Sequence, residues 1–208
     1  MRDMVSIKNV IQKEIQTGDV VIIEYPSGYP MEEIVWGEVI PEISRENTVL
    51  IDDFFGIGDL MFRNYMRRLE PPEYRKIFKI VKNIKVVKIG PGRASYGKIV
   101  NEIPITYETQ IFLDNYYLSI NKIMKESTKP LYFVSIGVSE YIYFGKEKAL
   151  QTLLTTRSFL PVEDWSSIYF LNRDMLPKEA LAIMEDIASH IIEIKREGEP
   201  VLKKKIRR

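Results

Sequence analysis

Residues 18–31 read Gly-Asp-Val-Val-Ile-Ile-Glu-Tyr-Pro-Ser-Gly-Tyr-Pro-Met, and this stretch decides the fold. Val20 to Ile23 form an unbroken apolar run between Asp19 and Glu24. Such a run, in place of an alternating one, marks a strand buried on both faces, as in a parallel sheet. Tyr25 to Pro30 reads as a loop from its prolines, serine and glycine. From Met31 to Ile40 the apolar residues Ile34, Val35, Val39 and Ile40 fall at helical spacing, with Pro41 just beyond.

Upstream, Ser6 is placed to cap a helix with Ile7, Val10, Ile11 and Ile15 on one face, ended by Gly18. Downstream the unit recurs. Strands are expected at 48–52, 84–89, 130–136 and 167–171, with helices at 59–69, 73–82, 111–125, 146–154 and 177–188. Pro71-Pro72 is read as the stop of one helix, and 90–102 as a glycine-rich connection. Residues 191–195 and 201–206 close the chain as an antiparallel edge hairpin around Gly198. Strands alternating with helices predict an α/β three-layer sandwich with a mostly parallel sheet, in a single domain over 1–208.

Composition narrows the chemistry. The 208 residues include no cysteine and one histidine, so disulfide, thiol, zinc-ribbon and multi-histidine metal sites are excluded. His190 near a helix C-terminus reads as structural. Thirty basic residues face 29 acidic ones, a net charge of +1 that argues against coating nucleic acid non-specifically. The abundance of Lys, Glu and Ile without Cys suits a thermophile. No apolar run reaches the ~20 residues of a membrane span. The first residues show no secretory pattern, so a cytoplasmic protein without membrane partners is expected.

Three places invite a phosphate or metal reading. In a sheet of this type, phosphate sits on the loop after the first strand, here Pro26, Ser27, Gly28 and Tyr29. The phosphate-loop pattern G-x-x-x-x-G-K-[ST] needs a Lys and a hydroxyl, where this chain has Pro30 and Met31. Gly92 to Ile99 matches that pattern up to Lys98 but lacks the final hydroxyl. It is followed by the β-branched, alternating Ile99-Val100-Asn101-Glu102-Ile103, where a phosphate loop needs a helix. It reads as a decoy in which Arg93 and Lys98 are placed for contact with an anion. Asp52 and Asp53 end an apolar strand, where an acidic residue can hold magnesium or simply cap and be solvated. Glu24 and Glu140 carry the same two readings.

The tail from Lys195 to Arg208 holds seven basic and two acidic residues, a net +5 that leaves the remaining 194 residues at −4. Lys203, Lys204, Lys205, Arg207 and Arg208 are therefore candidates for contact with RNA, DNA or an acidic partner, against the reading of a solvated edge hairpin. Tyr141 to Phe144 is aromatic and follows Glu140, which leaves tyrosines available for partner contacts.

Taken together, the 18–24 run, the Pro-Ser-Gly loop and the segments 168–172, 181–194 and 201–208 are similar to RecA/KaiC-like ATPases. They resemble that superfamily's last core strand, its acidic-apolar segment and its closing hairpin. More narrowly, the chain resembles an uncharacterised family of hyperthermophilic archaea. The resemblance implies a P-loop-type fold and side-by-side assembly. It also implies a metal-holding aspartate at the end of the strand 130–136, where this chain has Gly137. With the loop Lys, the hydroxyl and that aspartate missing, the expectation is a pseudo-ATPase that binds or regulates, with no catalytic residues and no ATP or magnesium cofactor. Its crevice would be lined by Pro26–Tyr29, Asp52, Asp53 and Gly137. The alternatives are a nucleotide hydrolase with a divergent loop using Lys98, and a nucleic-acid binder using the basic tail.

Overall fold

The structure is a computed structural model that describes residues 5–45, 47–126 and 131–206. Along the chain the elements are α1 (Ile7–Lys13), β1 (Val20–Tyr25), a π-helix (Glu33–Val39) continuing as α2 (Ile40–Ile43), and β2 (Thr48–Phe54). Then come α3 (Ile57–Met66), α4 (Pro71–Val81), β3 (Ile84–Ile89), β4 (Lys98–Ile103), α5 (Thr109–Glu126) and β5 (Leu131–Ile136). The chain continues through α6 (Val138–Phe159), a short 3-10 turn (Val162–Asp164), β6 (Trp165–Asn172), α7 (Lys178–Ile187), β7 (His190–Ile194) and β8 (Pro200–Lys205).

The strands form one sheet in the order β4-β3-β2-β5-β6-β1-β7-β8. Every neighbouring pair is parallel except β7 and β8. β1, expected to be buried on both faces, is buried at all six positions and pairs with β6 and β7. Alternate side chains feed two cores. Val21, Ile23, Val49, Ile51, Val134 and Ile168 meet α1, the π-helix and α3 on one face. Ile22, Leu50, Val87 and Phe133 meet α5, α6 and α7 on the other.

Two expectations need correction and two are refined. Residues 90–102 are not all connection: Lys98 to Ile103 pair in parallel with β3 as an edge strand. Only 90–97 link the two strands, a short crossover where a helix is usual. It runs across the sheet face with Tyr96 buried, so packing replaces the missing helix. The helix expected at 146–154 is present as the part of α6 that follows Lys146, whose φ of 50° and ψ of −133° are not helical; the part from Val138 to Gly145 goes beyond the expectation. Pro71-Pro72 begin α4 instead of stopping a helix. Prolines suit a first turn whose N–H groups lack partners, and Glu70 with Glu73 closes a capping box there. Finally, 33–39 is a π-helix in which the N–H of Ile40 reaches the carbonyl of Val35.

Candidate functional site

The loop after β1 lies where phosphate would bind, but its polar groups are already engaged. The backbone N–H of Ser27 donates to Asp174 Oδ2 at 3.0 Å, and the Ser27 hydroxyl donates to Asn172 Oδ1 at 3.1 Å. Asn172 Oδ1 also accepts from the N–H of Asp174 at 3.1 Å. Arg196 stands 3.7 Å from the same Asp174 carboxylate. A cavity of about 490 Å³ opens here between Pro26–Pro30, Asp174 and the hairpin turn at Arg196–Gly198. A carboxylate thus sits against the loop N–H that an anionic ligand would need, and like charge repels phosphate. Asp174 gave no sequence signal, because its partner is 147 residues away.

Asp52 and Asp53 are neighbours that point to opposite faces of β2, as strand alternation requires. Asp53 is fully buried and serves α3. It accepts from the N–H groups of Gly58 (2.7 Å) and Asp59 (3.1 Å) and from the Tyr96 hydroxyl (3.0 Å). Burial raises its pKa to about 6 against the opposing pull of those donors. Asp59 in turn accepts from the N–H of Ser95 and from Arg63, fastening the 90–97 crossover to α3. Tyr96 and Ser95 lie inside the phosphate-loop look-alike, whose role is this fastening. A Cβ on Gly92, at φ 125°, would come 2.9 Å from the Gly56 Cα and the Phe55 carbonyl, so the look-alike is clamped against the end of β2. Arg93 and Lys98 are both exposed, the latter at the start of edge strand β4.

Asp52 enters the second core. Its Oδ2 accepts from Tyr116 (2.6 Å) and Ser135 (3.2 Å), while Oδ1 is buried without a partner. Burial raises its pKa to about 7. Tyr116, Ser135 and the surrounding cavity were not evident from the sequence, because only strand register and helix packing bring them to Asp52.

Gly137, which the resemblance sets against a metal-holding aspartate, has φ 83° and joins β5 directly to α6. A Cβ there would lie 2.5 Å from the Phe54 carbonyl oxygen, so no side chain fits without moving β2. Among the described residues, no group of three or more His, Asp or Glu is placed to hold a metal ion. The segments 52–58, 90–93 and 137–141 converge at the carboxyl ends of β2, β3 and β5, while the crossover carries Gly97 back to the start of β3 at Ile84. The loop of 25–31 stands apart, two strands away, with Tyr25 near Glu140. On this convergence Phe55, at φ 58°, meets the Phe144 ring at 5.8 Å, and Tyr143 and Phe144 are largely exposed.

The basic tail is tied inward. Lys203 bridges the buried Glu24 (3.2 Å) and Glu185 (2.6 Å), Lys204 donates to the Glu185 carbonyl at the end of α7 (2.8 Å), and Lys205 pairs with Glu14. Arg207 and Arg208 lie outside the described residues. His190 is buried beside Ser189 and Asp19, as a structural histidine would be. No helix among the described residues is long and apolar enough to cross a membrane.

The chain resembles PH0250 of Pyrococcus horikoshii OT3 at TM-score 0.75 and 17% identity, covering 96% of this chain and 93% of that one. It also resembles the uncharacterized protein PH0321 of Pyrococcus horikoshii, solved in complex with an unknown peptide, at TM-score 0.65 and 14% identity over 96% and 90% of the two chains. The KaiC-like protein PH0186 of Pyrococcus horikoshii OT3 matches at TM-score 0.58 and 14% identity over 99% and 89%. The α/β fold is therefore RecA/KaiC-like. No curated protein is significantly similar in sequence. The family model described as "Pyrococcus protein of unknown function, DUF257" matches residues 11–206, and the chain belongs to that family.

Proposed function

We propose that this protein is a RecA/KaiC-like domain that does not hydrolyse ATP and acts by binding a protein partner, either another chain or a second copy. The observation that carries the reading is the Ser27 N–H held by the Asp174 carboxylate at 3.0 Å. Three others support it. Pro30 and Met31 stand where a phosphate-binding Lys and a magnesium-binding hydroxyl would be needed. Asp53 is used to hold α3. Gly137 leaves no room for a side chain. The residues present do not fit magnesium-bound ATP, since phosphoryl transfer depends on positioned cations around the phosphates. For the partner half, the PH0321 structure contains a peptide, and this chain exposes Tyr143 and Phe144 beside Phe55 at the strand ends. Aromatic side chains of this kind are enriched in interface cores.

The test is isothermal titration with ATP and magnesium, paired with a phosphate-release assay. No saturable heat and no phosphate release are expected. Micromolar binding with turnover that Lys98→Ala abolishes would overturn the reading in favour of a hydrolase with a divergent loop. For the partner half, peptides selected from a displayed library against the wild type are expected to lose binding to a Tyr143→Ser, Phe144→Ser variant. Undiminished binding would remove the aromatic shelf from the reading.

A further inference from the structure

The strand register builds a polar row through the second core. Asp52 lies opposite Ser135 on β5, and Ser135 lies opposite Tyr169 on β6. All three point toward α5 and α6, into a layer otherwise made of Phe54, Phe112 and Phe133. Between the row and the helices is a cavity of about 40 Å³. Two of its lining residues, Asp52 and Thr156, each carry a buried oxygen, Oδ1 and Oγ1, with no hydrogen-bond partner, and are only 4% and 6% exposed. Buried polar atoms without partners are costly, and a site holding two of them on one cavity is poised to receive a group that satisfies both. Arg157, also on the cavity, is half-buried, reaches Ser167 at 3.5 Å and interacts with the Tyr169 hydroxyl, and its guanidinium carries five N–H groups in all.

We infer that this cavity is a binding site for a primary carboxamide group. In its ionised form, as at pH 8, Asp52 Oδ1 requires a donor, and Arg157 offers a donor to an acceptor. A carboxylate or phosphate would be repelled by Asp52. An ammonium group would be repelled by Arg157 and would bring three N–H donors to only two unsatisfied atoms. A neutral carboxamide supplies an NH₂ for Asp52, a carbonyl for a donor, and a flat face for the aromatic walls. The volume suits such a headgroup with its tail leaving through the cavity mouth, and it suits a small cluster of water equally. This site lies in the core opposite the Ser27 loop and does not depend on the absence of ATP hydrolysis.

The experiment titrates the intact chain at pH 8 with propionamide, propionate and propylammonium while following the Trp165 indole signal by NMR. Trp165 lines the cavity and donates to Ser167 at 3.2 Å. Propionamide is expected to give a saturable shift, with the two charged analogues at least about tenfold weaker, the discrimination a buried mismatched polar group imposes. Thr156→Val, which keeps the side-chain shape, should weaken propionamide about threefold to tenfold without loss of the native spectrum. Asp52→Asn is the second variant, since it preserves an acceptor for Tyr116. It should reduce the discrimination against propionate. A glutamine tripeptide compared with its glutamate counterpart distinguishes the source. Tighter binding than propionamide points to an Asn or Gln side chain of a partner, and weaker binding points to a free small amide. Equal response to all three analogues, no saturable shift, or a crystal soaked with propionamide that holds water only would overturn the proposal.

Discussion

The backbone N–H of Ser27 donates to the carboxylate of Asp174 across 3.0 Å, joining the loop after β1 to the loop after β6. These strands are neighbours in the sheet, and the carboxylate takes the N–H that an anionic ligand would need. Asp174→Ala removes this acceptor and the nearby Arg196 pair, both at the surface. The expected cost is about 1 kcal/mol in urea denaturation. MgATP binding should remain undetectable, because Pro30 and Met31 still supply neither charge nor hydroxyl. A variant that acquired micromolar ATP affinity would show that Asp174 alone closes the site.

Asp53 holds α3 and the 90–97 crossover to the end of β2. Asp53→Ala should therefore cost about 2–4 kcal/mol, because two helix N–H groups and the Tyr96 hydroxyl lose a buried acceptor. Tyr96→Phe should cost about 1 kcal/mol. The double variant should cost less than the sum of the two, since the pair shares one network. Strict additivity in a denaturation cycle would show that the Tyr96 hydroxyl and Asp53 act separately.

The parallel core was legible in the sequence because its strands, from Val20–Ile23 onward, are unbroken apolar runs that no amphipathic helix would show. β4 was less so: Ile99 to Ile103 are β-branched and alternate, yet most of the strand is exposed or half-buried, as a connection would be. The first part of α6 was hidden by Gly145 and by Lys146, whose φ of 50° and ψ of −133° break the helix there. Asp52-Asp53 was legible as an acidic strand end, but period-two alternation sends the two carboxyls to different cores. One meets a helix N-terminus and the other a cavity, and only the partners reveal which. The excess of lysine in the tail was legible as charge. Its neutralisation by Glu24, Glu185 and Glu14 was not, because those acids lie far away in the sequence.

Three buried carboxyls set the pH dependence of stability. Burial raises Asp52 to about 7, Asp53 to about 6 and Glu24 to about 7, the last opposed by Lys203. In the unfolded chain these groups ionise near pH 4. The unfolded state therefore releases protons first, and the stability associated with these groups is present below about pH 4 and lost as pH rises to about 7. Asp59 and Glu193 are shifted down and oppose this only at more acidic pH. The Tm measured by calorimetry should fall between pH 5 and pH 8. Asp52→Asn should flatten that fall and be more stable than wild type at pH 8. A Tm that rises toward pH 8 would contradict the assignment.

Lys203 is the cation that keeps Glu24 tolerable in the core, at 3.2 Å from a carboxylate only 1% exposed. Lys203→Ala leaves that carboxylate buried and unpaired, at a cost of about 3 kcal/mol above pH 7. At pH 5 the cost should shrink, because Glu24 can take up a proton instead. Glu24→Gln introduced beside Lys203→Ala should recover most of the loss at pH 8. A penalty that is the same at both pH values would mean that the lysine stem, and not its charge, does the stabilising.

Among the described residues, Phe55 is one of two non-glycine residues with positive φ, at 58°, immediately after β2. Its ring meets Phe144, which is 62% exposed, so the contact contributes little to the core. The left-handed conformation, in contrast, strains any side chain except glycine and, to a lesser degree, asparagine. Phe55→Asn should therefore be more stable than Phe55→Ala by about 0.5–1 kcal/mol, although asparagine is polar and the position is half-buried. If alanine proved the more stable of the two in thermal denaturation, relief of backbone strain would not govern this position. If both variants also lost binding to peptides selected on the wild type, the strained backbone would be holding an aromatic ring for a partner at the expense of the fold.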